Sequence, residues 1–117
     1  MWDYSYGVQV YLALGSTDMR KQINSLAILV QERMQLDPLS GSVFVFCNRK
    51  RSTVKALYWD RNGFCLWQKR LERDRFRWPE KAEEVMMISQ RELRWLLDGL
   101  DLIQGNAHRQ LQYATVT

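Results

Sequence analysis

The hydrophobic pattern of this chain changes its period at one residue, Pro38, and that change limits the folds open to it. Before Pro38, apolar residues recur every three or four positions between Ile23 and Met34, which is typical of one face of an amphipathic helix. After it, short runs of β-branched and aromatic residues alternate with turn residues, which predicts strands. The sequence therefore predicts an α+β fold in which a helix precedes a β meander.

The first part of the chain predicts one strand, over residues 8–13, and one helix, over residues 18–35. Thr17 is suited to be the N-cap, with Asp18 in the first turn, where a carboxylate interacts favourably with the helix dipole. Turn residues at 37–41 end the helix. We expect the helix to pack on a sheet through four apolar side chains, those of Ile23, Leu26, Val30 and Met34.

The middle of the chain predicts antiparallel strands joined by tight turns. The run at residues 43–47 is apolar throughout, so we expect a central strand that is covered on both faces. Asn62-Gly63 lies in the strongest hairpin signal, because this pair takes positive φ at little cost. The predicted strands cover residues 43–47, 53–59, 64–71 and 75–78.

The last part of the chain predicts an acidic link at residues 80–84 and a second helix. Ser89 and Glu92 have the spacing of a capping box. The apolar stripe of this helix contains Leu93, Leu96, Leu97 and Leu100, with Gly99 near its end. We expect one domain over residues 1–117, with four to five strands and two packed helices. Its ordered core covers residues 8–101, and residues 102–117 form a tail that is frayed or packed as an extra strand.

The two cysteines are expected to be free thiols that act as small buried hydrophobes. On the predicted meander, Cys47 and Cys65 lie at opposite ends of the sheet, roughly 20 Å apart at about 3.3 Å per residue. A disulfide needs Cα atoms within about 7 Å. No signal peptide or membrane-spanning run is recognisable, so we expect a cytoplasmic protein with no membrane partner.

The residue types needed for common catalytic and metal sites do not cluster. The single histidine, His108, is in the tail, and the glycines stand singly at turns rather than in a phosphate-binding loop. The acids Asp60, Glu72 and Asp74 are neighbours of basic residues, which favours local ion pairing over metal binding. We expect no enzymatic activity, no cofactor, no metal and no small-molecule substrate.

Charge is concentrated in one segment of the chain. Residues 49–77 contain ten basic and three acidic residues, a net charge of +7, whereas the rest of the chain has seven basic and ten acidic residues, a net charge of −3. A concentrated positive field is typical of proteins that bind polyanions. We therefore expect DNA as a partner.

Candidate DNA contacts come from neighbouring predicted strands and turns. Alternation along residues 75–78 places Arg75 and Arg77 on one face, and the aromatic side chains of Phe76 and Trp78 on the core side. We expect a basic sheet face, although a solvated hairpin tip kept soluble by its charge is the alternative. The candidate residues are Arg49, Lys50, Arg51, Lys55, Lys69, Arg70, Arg73, Arg75 and Arg77.

A second set of residues is a candidate for contacts with a protein partner. It consists of Asp18, Arg20 and Lys21 at the start of the first helix, and Trp59 and Asp60 at a hairpin tip. The alternatives are an ordinary first helical turn with local ion pairing, and a core tryptophan beside a turn-forming aspartate.

The order of motifs over residues 8–101 resembles one family, the TnpB-type accessory proteins of the insertion-sequence-66 family. The motifs are Thr17-Asp18-Met19-Arg20-Lys21, Asp37-Pro38-Leu39-Ser40-Gly41, Phe44-Val45-Phe46, Asn48-Arg49-Lys50-Arg51, Leu57-Tyr58-Trp59-Asp60, Gly63-Phe64, Lys69-Arg70-Leu71-Glu72, Arg75-Phe76-Arg77-Trp78-Pro79 and the stretch 96–101. Local departures from the family pattern occur at Gln22, Asn24-Ser25, Ser52-Thr53 and Asp74.

The resemblance implies a part in transposition beside a separate, larger transposase. Two function hypotheses follow. In the first, the chain is an accessory factor that binds DNA backbone through its basic surface. In the second, it is a protein-interaction module that docks on an acidic surface of the transposase without contacting DNA directly.

Overall fold

The computed structural model describes residues 8–80, 83–100 and 102, and within them five strands and two helices. In chain order these are β1 (Val10–Ala13), α1 (Ile23–Glu32), β2 (Val43–Cys47), β3 (Thr53–Asp60), β4 (Gly63–Arg70), β5 (Val85–Ile88) and α2 (Gln90–Leu97).

The strands form one sheet in the order β4-β3-β2-β1-β5. The pairs β2–β3 and β3–β4 are antiparallel, as the predicted meander requires. β1 lies parallel to β2 and antiparallel to β5, so the sheet is mixed. The α+β class is confirmed, and most strand pairing is antiparallel.

The two helices cover opposite faces of the sheet. On one face, here the α1 face, Leu26 and Val30 of α1 pack with Phe44 and other buried residues. On the other, the α2 face, Leu93 and Leu96 of α2 join a second buried cluster. All five residues of β2 are buried, because their side chains alternate between the two clusters. The prediction of a doubly covered central strand is confirmed.

α1 begins five residues later than predicted, at Ile23 rather than residue 18. The Asp18 carboxylate accepts a hydrogen bond from the Arg20 backbone N–H at 2.9 Å, which closes a local turn instead of a helical one. Thr17 is not the N-cap. It is buried, its backbone N–H donates to the Cys47 carbonyl oxygen at 2.8 Å, and its hydroxyl has no hydrogen-bond partner within the described residues.

The prediction of a fourth meander strand over residues 75–78 is wrong. The two edges of the sheet are formed by β4 and by β5, which lies beside β1. Residues 75–78 are extended but not paired as a strand, although the Phe76 backbone N–H donates to the Arg51 carbonyl oxygen at 2.7 Å. Their predicted alternation is nevertheless present, with Phe76 and Trp78 buried and the two arginines exposed. β5 follows directly after the acidic link predicted at residues 80–84.

The predicted capping box is confirmed: Ser89 Oγ accepts from the Glu92 backbone N–H at 3.0 Å, and Glu92 Oε1 accepts from the Ser89 N–H at 2.9 Å. Gly99, at φ +85°, follows the end of α2. Leu100 was placed in the apolar stripe, but it lies beyond this end and is exposed.

The hairpin and the cysteines agree with expectation in most respects. The β3–β4 hairpin is tight, but the positive φ falls on Arg61 rather than on the Asn-Gly pair, since Gly63 already pairs with Asp60. Cys47 and Cys65 are free thiols; Cys47 is buried as expected, whereas Cys65 is only half-buried. Burial raises the pKa of the Cys47 thiol. The predicted tail lies outside the described residues except for Leu102, which is buried.

Candidate nucleic-acid interface

The basic residues gather at one end of the sheet because of how its strands run. β2 and β4 end where β3 begins, and the parallel pairing of β1 with β2 brings the end of β1 to the same place. The connections that follow these strands therefore meet there. We call this the basic end of the sheet; it carries the loops at residues 14–22, 48–52 and 71–80.

Three of these segments line an open groove with a volume of about 820 Å³. One wall is the loop at residues 48–52, which we call the tip loop, and the other is the segment at 71–75; Gly15 and Ser16 also line the groove. Its basic side chains are those of Arg49, Lys50, Arg51, Arg73 and Arg75, and its acidic side chains are those of Glu72, Asp74 and Glu80.

Four of the five cations in the groove form no ion pair with any described residue. Arg49, Lys50, Arg73 and Arg75 are exposed, and within the described part of the chain their side chains make no ion pair or hydrogen bond. Glu72 is paired instead with Arg70, from which it lies 3.1 Å. The four side chains are therefore able to bind an anion without first breaking an ion pair.

The tip loop is organised by a residue that sequence reasoning did not select, Asn48. Its Oδ1 accepts from the backbone N–H groups of Ser52 at 2.9 Å and Thr53 at 3.0 Å, and its Nδ2 donates to Ser52 Oγ at 3.0 Å. An asparagine that follows a strand and precedes a polar turn is typical of such side-chain-to-backbone turns, so a signal was present in the sequence.

Arg51 anchors the tip loop rather than projecting from it. Its Nη1 donates to the Gly15 carbonyl oxygen at 3.0 Å, and its own carbonyl oxygen accepts from Phe76. Arg51 also adopts a φ of +61°, which a side chain-bearing residue keeps only when its surroundings hold it. Arg51 thus contributes charge to the groove while it joins the three segments that form it.

Lys55 does not lie on the surface with the other candidates. Its side chain is 3% exposed, and its Nζ donates to the carbonyl oxygens of Met19 and Lys21, both at 2.8 Å. The ammonium group therefore fixes the turn before α1 to β3, close to the start of that strand.

Lys69 and Arg70 lie on opposite faces, so the candidate residues do not share one basic sheet face. Lys69 pairs with Val54 and donates from Nζ to the Leu97 carbonyl oxygen of α2 at 2.8 Å. Arg70, one residue further along the strand, faces the other side. Both faces are covered by helices, and the positive charge is concentrated at the end of the sheet instead.

The two groups of expected partner contacts are also separated. Asp18 and Arg20 form an exposed ion pair at 2.7 Å at the basic end, and the hydrogen bonds from Arg20 lower the pKa of the Asp18 carboxyl to about 2. Trp59 and Asp60 lie at the opposite end of β3, four and five residues beyond Lys55, whose ammonium group contacts the loop that holds this pair. There the Trp59 ring makes an edge contact with Phe64, with ring centroids 5.0 Å apart.

Comparison with known proteins identifies the family. The family model described as IS66 Orf2-like protein matches residues 8–107. The chain belongs to this family. It is 46% identical over 94 residues to the uncharacterized protein y4hO of Sinorhizobium fredii strain NGR234, which covers 80% of this chain and 82% of that protein. It is 32% identical over 97 residues to y4jC of the same organism, which covers 83% of each chain. No solved structure matches.

The IS66 Orf2-like family consists of accessory proteins associated with transposition, and it is not a known catalytic family. The match spans every described strand and helix, so the groove lies within the family domain.

The described residues also bear on metal binding and on membrane insertion. Within residues 8–80, 83–100 and 102, no group of three or more His, Cys, Asp or Glu side chains is placed to hold a metal ion. Within the same residues, neither helix is long and apolar enough to cross a membrane.

Proposed function

We propose that this IS66 Orf2-like protein is a non-catalytic accessory factor of transposition that binds DNA backbone at the basic end of its sheet and assists a separate transposase. One observation carries the proposal: two loops place the unpaired side chains of Arg49, Lys50, Arg73 and Arg75 around one open groove. Lys and Arg side chains that are not engaged in ion pairs can bind phosphates, with release of condensed ions from the DNA.

Two further arginines extend this surface beyond the groove. Arg77 is exposed and has no ion pair within the described residues, and it follows Arg75 on the same side of the extended segment. Arg70 lies at the end of β4, where its pairing with Glu72 leaves two-thirds of its side chain exposed. These contacts are expected to be independent of sequence, because phosphates carry no base identity.

Binding of DNA at the basic end leaves the opposite end of the sheet for a protein. The β3–β4 hairpin tip presents Trp59, Phe64 and Asp60 there. We propose this tip as a contact for the transposase, and the Asp18–Arg20 corner as a contact beside the DNA.

The second function hypothesis, docking on an acidic surface of the transposase through the groove itself, relies on the same five cations. Glu72, Asp74 and Glu80 also line the groove, so a partner surface that fits it must place basic groups opposite these carboxylates and acidic groups opposite the cations.

Binding measured in parallel to DNA and to the transposase separates the two hypotheses. A variant with Arg49→Gln and Lys50→Gln should lose affinity for short duplex DNA and keep its affinity for the transposase. Loss of transposase binding with unchanged DNA binding would establish the second hypothesis instead.

A further inference from the structure

The basic side chains of the tip loop are attached to a backbone that hydrogen bonds hold in place. Asn48 satisfies the N–H groups of two residues at the end of the loop, and the Arg51 backbone N–H donates to the Asn48 carbonyl oxygen at 3.1 Å. Arg51 ties the loop to Gly15 on one side and to Phe76 on the other. The Cα positions of Arg49 and Lys50 are therefore fixed relative to the opposite wall of the groove before any ligand binds.

The groove offers charge without a surface on which bases can stack. None of the described residues that line it is aromatic. The two aromatic residues that follow Arg75 in sequence, Phe76 and Trp78, are buried in the core, and the Trp78 indole N–H donates to the Ala13 carbonyl oxygen at 3.2 Å. Proteins that bind single-stranded nucleic acid combine a basic groove with aromatic side chains that stack on successive bases.

Basic groups that are held at fixed positions bind most tightly to phosphates that are also held at fixed positions. Duplex DNA is stiff over lengths far greater than this domain, so its phosphates hold regular positions. A single strand must lose conformational freedom to meet a fixed array, and here no stacking contact offsets that loss.

We propose that the groove selects duplex DNA over single strands of the same sequence, with Asn48 as the positioning residue that holds the tip loop in the shape the duplex requires. This inference rests on the proposed function, since it concerns the ligand of the same groove. It assigns Asn48 a role in affinity although its side chain carries no charge.

The test uses the full chain, a short duplex and the two separated strands, with affinities measured by fluorescence anisotropy at several salt concentrations. We expect the duplex to bind more tightly than either strand at every salt concentration. Equal or tighter binding of the single strands would overturn the inference and leave DNA binding intact. Absence of salt-dependent binding to any of the three would contradict the proposed function itself.

Asn48→Ala tests the positioning role because it changes no charge. Loosening the tip-loop backbone, which must then be ordered again on binding, should weaken duplex binding by about fivefold or more. Single-strand binding should change less, so the preference for duplex should shrink, while the salt slope of duplex binding stays close to that of the wild type because the number of phosphate contacts is retained. A purely structural role would instead weaken both forms of DNA equally.

Two further variants keep this test decisive. Asn62→Ala makes the matched change in the other hairpin loop, at the far end of the sheet, and should leave the duplex preference unchanged. Ser52→Ala removes only the hydrogen bond to Asn48 Nδ2, so it should reduce the preference partially even if Asn48→Ala fails to fold. The positioning role would be overturned if Ser52→Ala left the duplex preference unchanged and Asn48→Ala either left both DNA affinities unchanged or lowered them equally.

Discussion

The Nζ of Lys55 lies 2.8 Å from the carbonyl oxygen of Lys21, although 34 residues separate the two along the chain. The same ammonium donates to the Met19 carbonyl oxygen, and the side chain is almost completely buried. These bonds satisfy backbone acceptors in the turn before α1, which has no side-chain cap at Gln22. A residue from the most basic segment of the sequence therefore stabilises the fold rather than the charged surface.

Replacing this lysine should destabilise the protein without altering its DNA contacts. Lys55→Met keeps the length of the side chain but leaves two carbonyl oxygens without their donor, which we expect to lower the free energy of unfolding by about 2 kcal/mol. Urea denaturation measures the loss. The salt slope of DNA binding by the folded variant should equal that of the wild type.

Lys50→Met is the matched control for this prediction. Lys50 is exposed at the tip loop and has no side-chain partner within the described residues. The control should keep the stability of the wild type and lower the salt slope by about 0.9, the loss of one phosphate contact. The reverse result, with Lys50→Met unstable and Lys55→Met deficient in DNA binding, would refute the assignment of Lys55 to the fold.

Gly15 should not tolerate a side chain. It adopts a φ of +84°, and a Cβ there would lie 2.6 Å from Nη2 of Arg33, which itself donates to the Leu14 carbonyl oxygen at 2.7 Å. We expect Gly15→Ala to lower the free energy of unfolding by about 1–2 kcal/mol. Thermal denaturation checks this, with Gly63→Ala as the control, since a Cβ at Gly63 meets no atom within 4 Å. Equal melting temperatures of the two variants would contradict the clash.

The Asp18 carboxyl should titrate well below its ordinary range in the folded protein. The side-chain hydrogen bonds from Arg20 are the largest cause of the lowered pKa, which is about 2. Because the pKa is depressed by folding, the ionised carboxylate stabilises the turn above the ordinary value of 3.8, and this contribution is lost as the pH falls toward 2. Carbon-detected NMR titration of the carboxyl measures the midpoint.

Arg20→Ala supplies the control for this titration. The variant should return the midpoint of Asp18 toward 3.8, because it removes the side-chain donors. A wild-type midpoint that already lies near 3.8, or one that Arg20→Ala does not move, would show that the ion pair is absent in solution.

The parts of the fold that depend on local pattern could be predicted from the sequence. The β2–β3–β4 meander follows from alternation and turn residues that are close together in the chain, and the Ser89 capping box follows from a spacing of three residues. The position of β1 beside β2 could not be predicted in this way, because a parallel pair is joined through a helix and its register is set by tertiary packing. β5 was missed for the same reason, since it pairs only with β1 at the start of the chain.

The sequence predicted the basic residues of the candidate site but not their arrangement in space. The basic segment is indeed exposed at Arg49, Lys50, Arg73 and Arg75, as its charge density indicated. Its concentration at one end of the sheet follows from the antiparallel β2–β3–β4 meander, whereas the contribution of Gly15 and Ser16 to the groove depends on the parallel placement of β1, which a search for period-two alternation does not reveal. Likewise, no local pattern distinguishes the buried Lys55 from its exposed neighbours, because its partners lie in a turn far away in sequence.

The salt dependence of duplex binding tests the central claim most directly. The comparison is between two double variants of equal net charge, Arg49→Gln with Lys50→Gln in the groove and Arg61→Gln with Arg91→Gln away from it. If both groove residues contact phosphates, the first variant should lower the slope of log affinity against log salt by about 1.8, at about 0.9 for each contact. The second should retain the wild-type slope. Equal slopes in the two variants would show that only net charge attracts the DNA, and would contradict a binding site at the basic end.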